Sequence, residues 1–280
     1  MFFLRSKFMP ELPEVEVTMR GVSPALKDSV IKSVFKGEKK LRIPLSDDLY
    51  QLQGAKVLSL QRRGKYIIVT TTKGSIIVHL GMSGHLKVVD HEAPFILHDH
   101  FALALDNGKD VRLNDPRRFG LVAYVKEGND PLASEVLKNL GPEPFSDAFN
   151  ADYLYNTLKK RHIAVKQAIM DSKVVVGVGN IYASESLFLA EISPLRSAST
   201  ITREECEKLV EVIRKLLHES IKKGGTTIRD FSGADGKPGY FVQNLNVYGH
   251  EGEKCPRCGH PILGTVQGQR HTYFCGHCQH

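Results

Sequence analysis

Hydrophobic and polar positions change their spacing about halfway along the chain. From Val30 to about Val125, short segments rich in Val, Ile, Leu and Thr recur between turn signals, which is typical of antiparallel strands. The dipeptide Asn107-Gly108 is a strong hairpin signal, because it suits a tight two-residue turn. We therefore predict an antiparallel β-sandwich or barrel-like domain with strands that include residues 55–60, 66–71, 75–80, 85–89, 100–105 and 121–125.

Helical spacing precedes and follows this region. A short helix is predicted over residues 13–26, with a proline in its first turn. In the second half, Thr202 and Glu205 have the spacing of a capping box at the start of a long helix that ends near Lys223. Other helices are predicted from Asn150, over 163–170 and over 180–191. The predicted fold class is α+β, with an N-terminal β-sandwich behind a leading helix and a C-terminal helical domain.

Four of the five cysteines lie near the C-terminus, as two C-x2-C pairs separated by 16 residues. This spacing predicts a four-thiolate zinc site, which has no open coordination position and is therefore structural. The sequence between the pairs predicts a β-hairpin with its tip near residues 267–269. A rubredoxin-like iron site and disulfides are the alternatives. The predicted zinc ligands are Cys255, Cys258, Cys275 and Cys278. The fifth cysteine, Cys206, is predicted to be a free, partly buried thiol.

The composition is that of a globular protein, with 41% hydrophobic and 25% charged residues among 280. The formal net charge of +7 favours an anionic partner, and nucleic acid is the first candidate. Four thiolates and one Zn²⁺ together add −2, so the zinc site lowers this charge to +5. Global basicity is therefore modest, and a nucleic-acid interface depends on local placement of the basic residues.

Residues 1–8 precede a second methionine and contain too few consecutive apolar residues for a secretory signal. We interpret them as a leader or upstream-start segment, with a short genuine extension as the alternative. Removal of Met9 would make Pro10 the terminal residue. A terminal α-amine titrates at about pH 7.7–8.0, so a large fraction of it is a neutral nucleophile near neutral pH.

Three further segments have two interpretations each when they are taken singly. Residues 177–180 (GVGN) are either a phosphate-binding turn before a helix or a tight turn with Asn180 as its N-cap. Residues 115–120 (DPRRFG) are either a wedge that enters a duplex or a salt-bridged loop. Residues 62–66 (RRGKY) are either a basic contact or a solvated turn.

Taken together, these segments resemble the bacterial formamidopyrimidine-DNA glycosylases, which are also called 8-oxoguanine DNA glycosylase/AP lyases. The Leu12-Pro13 pair and the trio Met82, Arg117 and Phe119 favour this branch over the related endonuclease VIII enzymes. The matching segments follow the family's order: PELPEVE (10–16), RRGKY (62–66), HLGMSG (79–84), NDPRRFG (114–120), VGVGNIYASE (176–185), GGTT…DGKPGYF (224–241) and the cysteine-rich terminus.

The resemblance implies catalytic roles for three residues. Pro10 would be the nucleophile that attacks the deoxyribose C1′ and forms an iminium intermediate. Glu11 would donate and accept protons around the sugar ring. Lys65 would contact the phosphate beside the lesion and assist catalysis. No organic cofactor is implied by this chemistry.

The resemblance also implies a set of DNA-binding residues. Met82, Arg117 and Phe119 would fill the gap left by the everted base, with Arg117 facing the orphaned cytosine. The loop 224–240 would close over the extruded 8-oxoguanine. The remaining members of the set are His79 and the phosphate contacts Lys166, Asn180 and Arg270.

The expected function is base-excision repair of oxidised purines followed by strand cleavage through β/δ-elimination. A non-catalytic binder of damaged DNA and an endonuclease VIII-type glycosylase for oxidised pyrimidines are the alternatives. The expected partner is damaged double-stranded DNA, with no membrane, in a monomeric bacterial enzyme of the cytoplasm and nucleoid. The predicted domains are the leader (1–8), the catalytic β-sandwich (9–139), a linker (140–151), a helix–two-turn–helix domain (152–245) and the zinc finger (246–280).

Overall fold

The N-terminal half contains two four-stranded antiparallel sheets, as its alternating apolar positions predict. The computed structural model describes residues 9–224 and 245–280. The predicted leader 1–8 and all but the first residue of the predicted loop 224–240 lie outside the described residues. The strands of this half are β1 (Ile31–Lys36), β2 (Val57–Arg63), β3 (Tyr66–Thr71), β4 (Gly74–His79), β5 (His85–Asp90), β6 (Asp99–Leu105), β7 (Lys109–Asn114) and β8 (Leu121–Val125).

One sheet has the order β1-β6-β7-β5 and the other β2-β3-β4-β8. Alternate residues of both sheets, such as Val69, Val78, Leu103 and Val111, belong to one buried apolar core. The leading helix α1 (Leu12–Leu26) contacts strands of both sheets and adds Val15 to that core. The predicted sandwich with a leading helix is confirmed, and α1 fixes the start of the chain against both layers.

Most predicted strands lie within a few residues of their observed positions. Strands 66–71 and 121–125 have the predicted bounds, and each is followed by a turn. The strand after Asn107-Gly108 was only implied by the hairpin signal, and it spans Lys109–Asn114 as β7. The structure also contains a 3-10 helix over Asp47–Leu52, within the region where only strands were predicted.

The second half is helical up to residue 222. Asn150 caps the first helix, because its side chain accepts a hydrogen bond from the Tyr153 N–H at 2.9 Å. The predicted capping box is confirmed, since Thr202 and Glu205 exchange hydrogen bonds between side chain and backbone. The helices are α2 (Ala151–Leu158), α3 (Val165–Met170), α4 (Asn180–Ala190) and α5 (Arg203–Lys222).

A β-hairpin of β9 (Leu263–Gln267) and β10 (Arg270–Phe274) follows near the C-terminus. Its tip is Gly268-Gln269, as predicted, and both tip residues have positive φ, as a tight hairpin turn requires. By backbone contacts, the chain divides into one compact unit that contains residues 9–138 and a second that contains residues 139–222 and 245–280. Among the described residues, no helix combines the length and apolar character that crossing a membrane requires.

Candidate active site and nucleic-acid interface

The start of α1 holds Pro10 and Glu11 in a fixed local geometry. Glu11 is the N-cap residue, and its side chain accepts a hydrogen bond from the backbone N–H of Glu14. In return, the Glu11 N–H donates to the Glu14 carboxylate at 2.9 Å. This reciprocal pair is a capping box, and it places the buried Glu11 carboxylate at the positive end of the helix dipole. Pro10 is thereby held one residue before a rigid helix start.

Lys65 lies in the two-residue turn between β2 and β3, where Gly64 has a φ of +57°. The Arg62 guanidinium donates a hydrogen bond to the Gly64 carbonyl at 3.0 Å and another to the Glu16 carboxylate at 2.9 Å. The side chains of Arg62 and Glu16 are only 9% and 13% exposed. Because Glu16 belongs to α1, this nearly buried ion pair ties the Lys65 turn to the helix that begins beside Pro10.

His79 ends β4 and is a neutral imidazole. Burial lowers its pKa to about 3, and the positive charges of Arg42 and Lys65 lower it further in the same direction. Its Nδ1 accepts a hydrogen bond from the Gly81 N–H at 3.0 Å, so the ring proton resides on Nε2. His79 can therefore donate a hydrogen bond to an anionic oxygen without carrying a charge.

Met82, Arg117 and Phe119 lie on two loops that touch each other. The Arg117 guanidinium stands 4.9 Å from the centre of the Phe119 ring, which is 46% exposed. Met82 lies in the loop between β4 and β5, directly before Ser83. The Ser83 hydroxyl accepts a hydrogen bond from the Arg117 N–H at 3.1 Å. The structure therefore brings the two loops that carry the predicted wedge together.

In the second unit, Lys166 and Asn180 contact each other. The Lys166 ammonium donates to Asn180 Oδ1 and to Thr272 Oγ1, each at 2.7 Å, and it is almost fully buried. The Asn180 side-chain amide donates to the carbonyl of His271 at 3.0 Å. The two residues are thus attached to β10, the strand that begins at the exposed Arg270.

The interpretation of Asn180 as a helix N-cap is wrong. Gly179 occupies the N-cap position of α4, and Asn180 is the first helical residue. Its side chain does not bond to its own helix start, because it is held by Lys166, Tyr248 and the His271 carbonyl instead.

The four C-terminal cysteines form the predicted metal site. One sulfur from each lies within 4.8 Å of the others, with Cys255 and Cys278 sulfurs 3.9 Å apart and Cys258 and Cys275 sulfurs 3.4 Å apart. Tetrahedral zinc with Zn–S bonds of about 2.3 Å requires sulfurs about 3.8 Å apart, so the donor set fits one zinc ion. Its role is structural, because four protein ligands leave no position for a substrate. Cys206 is a free thiol, as predicted, but it is fully rather than partly buried.

Three carboxylates support these groups and were not predicted as site residues; those of Asp115 and Glu185 are fully buried, and that of Glu16 is 13% exposed. Glu16 ties α1 to the Lys65 turn, and Asp115 accepts a hydrogen bond from Ser83 at 2.6 Å. Glu185 is fully buried on α4 and accepts four hydrogen bonds from residues 246–248. All three lie within the motif segments, but a carboxylate in a motif does not by itself reveal its distant partner.

The two-sheet unit, the helical unit and the four-cysteine hairpin define an α+β protein with a structural zinc finger. Family models match most of the chain: the formamidopyrimidine-DNA glycosylase N-terminal domain over residues 9–122, the formamidopyrimidine-DNA glycosylase H2TH domain over 140–232, and the zinc finger found in FPG and IleRS over 252–280. The chain therefore belongs to the formamidopyrimidine-DNA glycosylase family, whose members are DNA glycosylases of base-excision repair.

Individual relatives agree with this assignment. The formamidopyrimidine-DNA glycosylase of Klebsiella pneumoniae is 52% identical over 273 residues, which cover 97% of this chain and all of that protein. The MutM (Fpg) protein of Thermus thermophilus has a similar structure, with a TM-score of 0.84, 35% identity and coverage of 96% of this chain and 98% of that one. Lactococcus lactis Fpg, in a complex with DNA that contains an abasic site, has a TM-score of 0.88 at 31% identity, covering 96% and 99% of the two chains.

Proposed function

We propose that this protein excises oxidised purines, such as 8-oxoguanine and formamidopyrimidines, and then cuts the strand at the resulting abasic site. The proposal rests on one observation, which is that Glu11 and the turn that bears Lys65 are both attached to helix α1. The capping box fixes Glu11 beside Pro10, and the Arg62–Glu16 ion pair ties the Lys65 turn to the same helix. Such rigid placement of reacting groups is what covalent catalysis requires.

The nucleophile in this proposal is the nitrogen of Pro10, which must be a free amine. The active form therefore begins at Pro10. The match of the family model from residue 9 onward supports this start. The positive charge of Lys65, were it near the terminal nitrogen, would lower the pKa of that amine and increase its neutral, nucleophilic fraction.

The bond changes balance without a cofactor. The Pro10 nitrogen bonds to C1′ and loses its N–H proton while the bond between C1′ and the base breaks, and the base leaves with that electron pair and takes up a proton. Glu11 donates a proton to the ring oxygen as the sugar opens and the nitrogen lone pair forms an iminium. The iminium acidifies the C2′ proton, so its removal expels the 3′ phosphate, and a second elimination expels the 5′ phosphate. Water then releases the sugar remnant from Pro10.

DNA must first be distorted, because an amine cannot reach C1′ in a stacked duplex. Insertion of Met82, Arg117 and Phe119 would compensate for the unstacking of the everted base, which costs a few kcal/mol. Neutral His79 would donate from Nε2 to a backbone phosphate. Lys65, Lys166, Asn180 and Arg270 would hold further phosphates, and the loop 224–240 would cover the extruded base.

The same proposal includes the partner, the oligomeric state, the cellular location and the domain bounds. The relatives from Lactococcus lactis form complexes with DNA that contains an abasic site or Fapy-dG, and this supports damaged double-stranded DNA as the partner. The protein would act as a monomer in the bacterial cytoplasm, associated with the nucleoid through DNA. The domain scheme remains a prediction, with the catalytic sandwich over 9–139, a linker over 140–151, the helix–two-turn–helix domain over 152–245 and the zinc finger over 246–280.

Borohydride trapping on a duplex with 8-oxoguanine opposite cytosine tests the proposal. We expect a covalent protein–DNA adduct, cleavage of the lesion strand, and an intact mass that corresponds to a start at Pro10. Stoichiometric binding without an adduct would establish the non-catalytic binder instead. Faster cleavage of a thymine glycol duplex would favour the endonuclease VIII-type enzyme. An active protein that retains residues 1–8 would overturn the Pro10 mechanism.

A further inference from the structure

Two connections between the sheets run side by side in the N-terminal unit. Residues 80–84 join β4 to β5, and residues 115–120 join β7 to β8. Strand β4 pairs with β8 in one sheet, and β5 pairs with β7 in the other. Each loop therefore starts and ends at residues that are paired with the ends of the other loop.

The backbones of these two loops approach so closely that only glycine fits at position 81. A Cβ on Gly81 would lie 2.4 Å from the nitrogen of Gly120 and from the carbonyl carbon of Phe119. Gly81 also has a φ of +66°, which disfavours other residues. The loop that bears Met82 is thus packed directly against the backbone of the loop that bears Arg117 and Phe119.

A buried carboxylate links the two loops. One Asp115 oxygen accepts a hydrogen bond from the Ser83 hydroxyl at 2.6 Å and from the Arg117 N–H at 3.3 Å. The other oxygen accepts from the Gly120 N–H at 2.7 Å. The Ser83 oxygen in turn accepts from the Arg117 N–H. Asp115 is fully buried, which limits the competition of water for these bonds.

We propose that Ser83 and Asp115 are positioning residues that hold Met82, Arg117 and Phe119 as one preassembled wedge and thereby set the preference for the opposite base. This inference rests on the proposed function. The three wedge side chains come from two loops, and the Ser83–Asp115 bond is a side-chain link between these loops. Without it, Arg117 would have to be ordered at the moment of insertion, which weakens its contact with the orphaned base.

The test is single-turnover excision by Ser83→Ala from duplexes with 8-oxoguanine opposite cytosine or adenine. Loss of a hydrogen bond to a charged group predicts about a tenfold slower reaction opposite cytosine, with a smaller loss opposite adenine. The ratio of the excision rate opposite cytosine to that opposite adenine should therefore decrease. Ser29→Ala is the control, because it also removes a hydrogen-bonded serine hydroxyl of the same unit, here a buried one that donates to the Leu26 carbonyl at 2.6 Å outside the two loops.

An Arg117→Ala background separates positioning from general structure. We expect Ser83→Ala to have little additional effect on the cytosine-to-adenine ratio in that background, since both changes remove the same contact. The inference is overturned if Ser83→Ala slows excision equally opposite cytosine and adenine, or if its effect adds fully to that of Arg117→Ala. It is also overturned if Ser83→Ala and Ser29→Ala change excision in the same way. Absence of excision by the unaltered protein would refute the proposed function itself, which is a separate outcome. Asp115→Asn, compared by thermal unfolding, provides a second variant that removes the carboxylate charge from the same link.

Discussion

Arg62 and Glu16 form a nearly buried ion pair between two elements that are 46 residues apart in the sequence. The same guanidinium donates to the Gly64 carbonyl, so one side chain joins helix α1 to the turn that bears Lys65. Glu16 also binds the exposed Arg20 at 2.8 Å, within its own helix. The two ion pairs share one carboxylate, but they differ in burial and in the sequence separation of the partners.

Arg62→Gln should slow base excision by about tenfold, because the Lys65 turn loses its attachment to α1. The loss of a hydrogen bond to a charged group should also lower the free energy of unfolding by about 2 kcal/mol. Single-turnover kinetics and urea denaturation measure the two effects. Arg20→Gln is the matched control and should change both little, since exposed ion pairs contribute at most about 1 kcal/mol. Equal effects of the two variants would contradict the positioning role of Arg62.

His79 should remain neutral in the folded protein throughout pH 5–8, because its pKa is lowered to about 3. Long-range ¹⁵N NMR of the imidazole should show the Nε2–H tautomer across this range. The unfolded chain binds the proton near pH 6.5, so the stability associated with His79 is complete above that pH and decreases as the pH falls toward 3. His79→Gln should reduce this acid sensitivity. An imidazole that titrates near pH 6.5 in the folded protein would show that burial does not control it.

Cys258→Ser should release zinc and lower the midpoint of thermal unfolding, because three thiolates hold the ion less tightly than four. Elemental analysis and calorimetry measure the two changes. Cys206→Ala is the control, since Cys206 is a buried thiol outside the metal site. It should keep one zinc per chain. Zinc content that is unaffected by Cys258→Ser would exclude Cys258 as a ligand.

Arg270→Ala should weaken DNA binding and reduce the slope of log K against log salt by about 0.9, the value for one phosphate contact by a cation. Asn180→Ala should weaken binding with little change of slope, because an amide releases no counterion. Fluorescence anisotropy between low and moderate salt distinguishes the two. His277, an exposed residue of the zinc finger, offers a control through His277→Ala, which should leave affinity and slope unchanged. Unchanged binding by both test variants would remove the phosphate contacts from the proposal.

Features that depend on neighbouring residues could be predicted with good accuracy. The strand 66–71 follows from a run of β-branched residues before a turn, and the Thr202–Glu205 capping box follows from a three-residue spacing. The zinc site follows from two C-x2-C pairs, because each pair can turn both sulfurs toward one ion. These patterns depend on short stretches of the chain, in which the backbone geometry allows few alternative structures.

The role of Asn180 shows where such reasoning ends. A glycine-rich turn before a helix made Asn180 a reasonable N-cap, but its amide is bonded to Lys166, to Tyr248 and to the backbone of β10. Nothing near residue 180 in the sequence identifies partners that are up to 91 residues away. Tertiary packing overrides the local preference, because the buried Lys166 ammonium needs hydrogen-bond acceptors and the Asn180 side chain supplies one.

By itself, the sequence determined the α+β class, the zinc ligands and the residues that carry the family resemblance. Only the tertiary structure decided that Arg62 pairs with Glu16 and that Asp115 binds Ser83, 32 residues away. The reason is physical. Periodicity and ligand spacing are set by local backbone geometry, whereas the choice among many similar carboxylates and donors is made when folding brings distant segments together and excludes water from one particular pair.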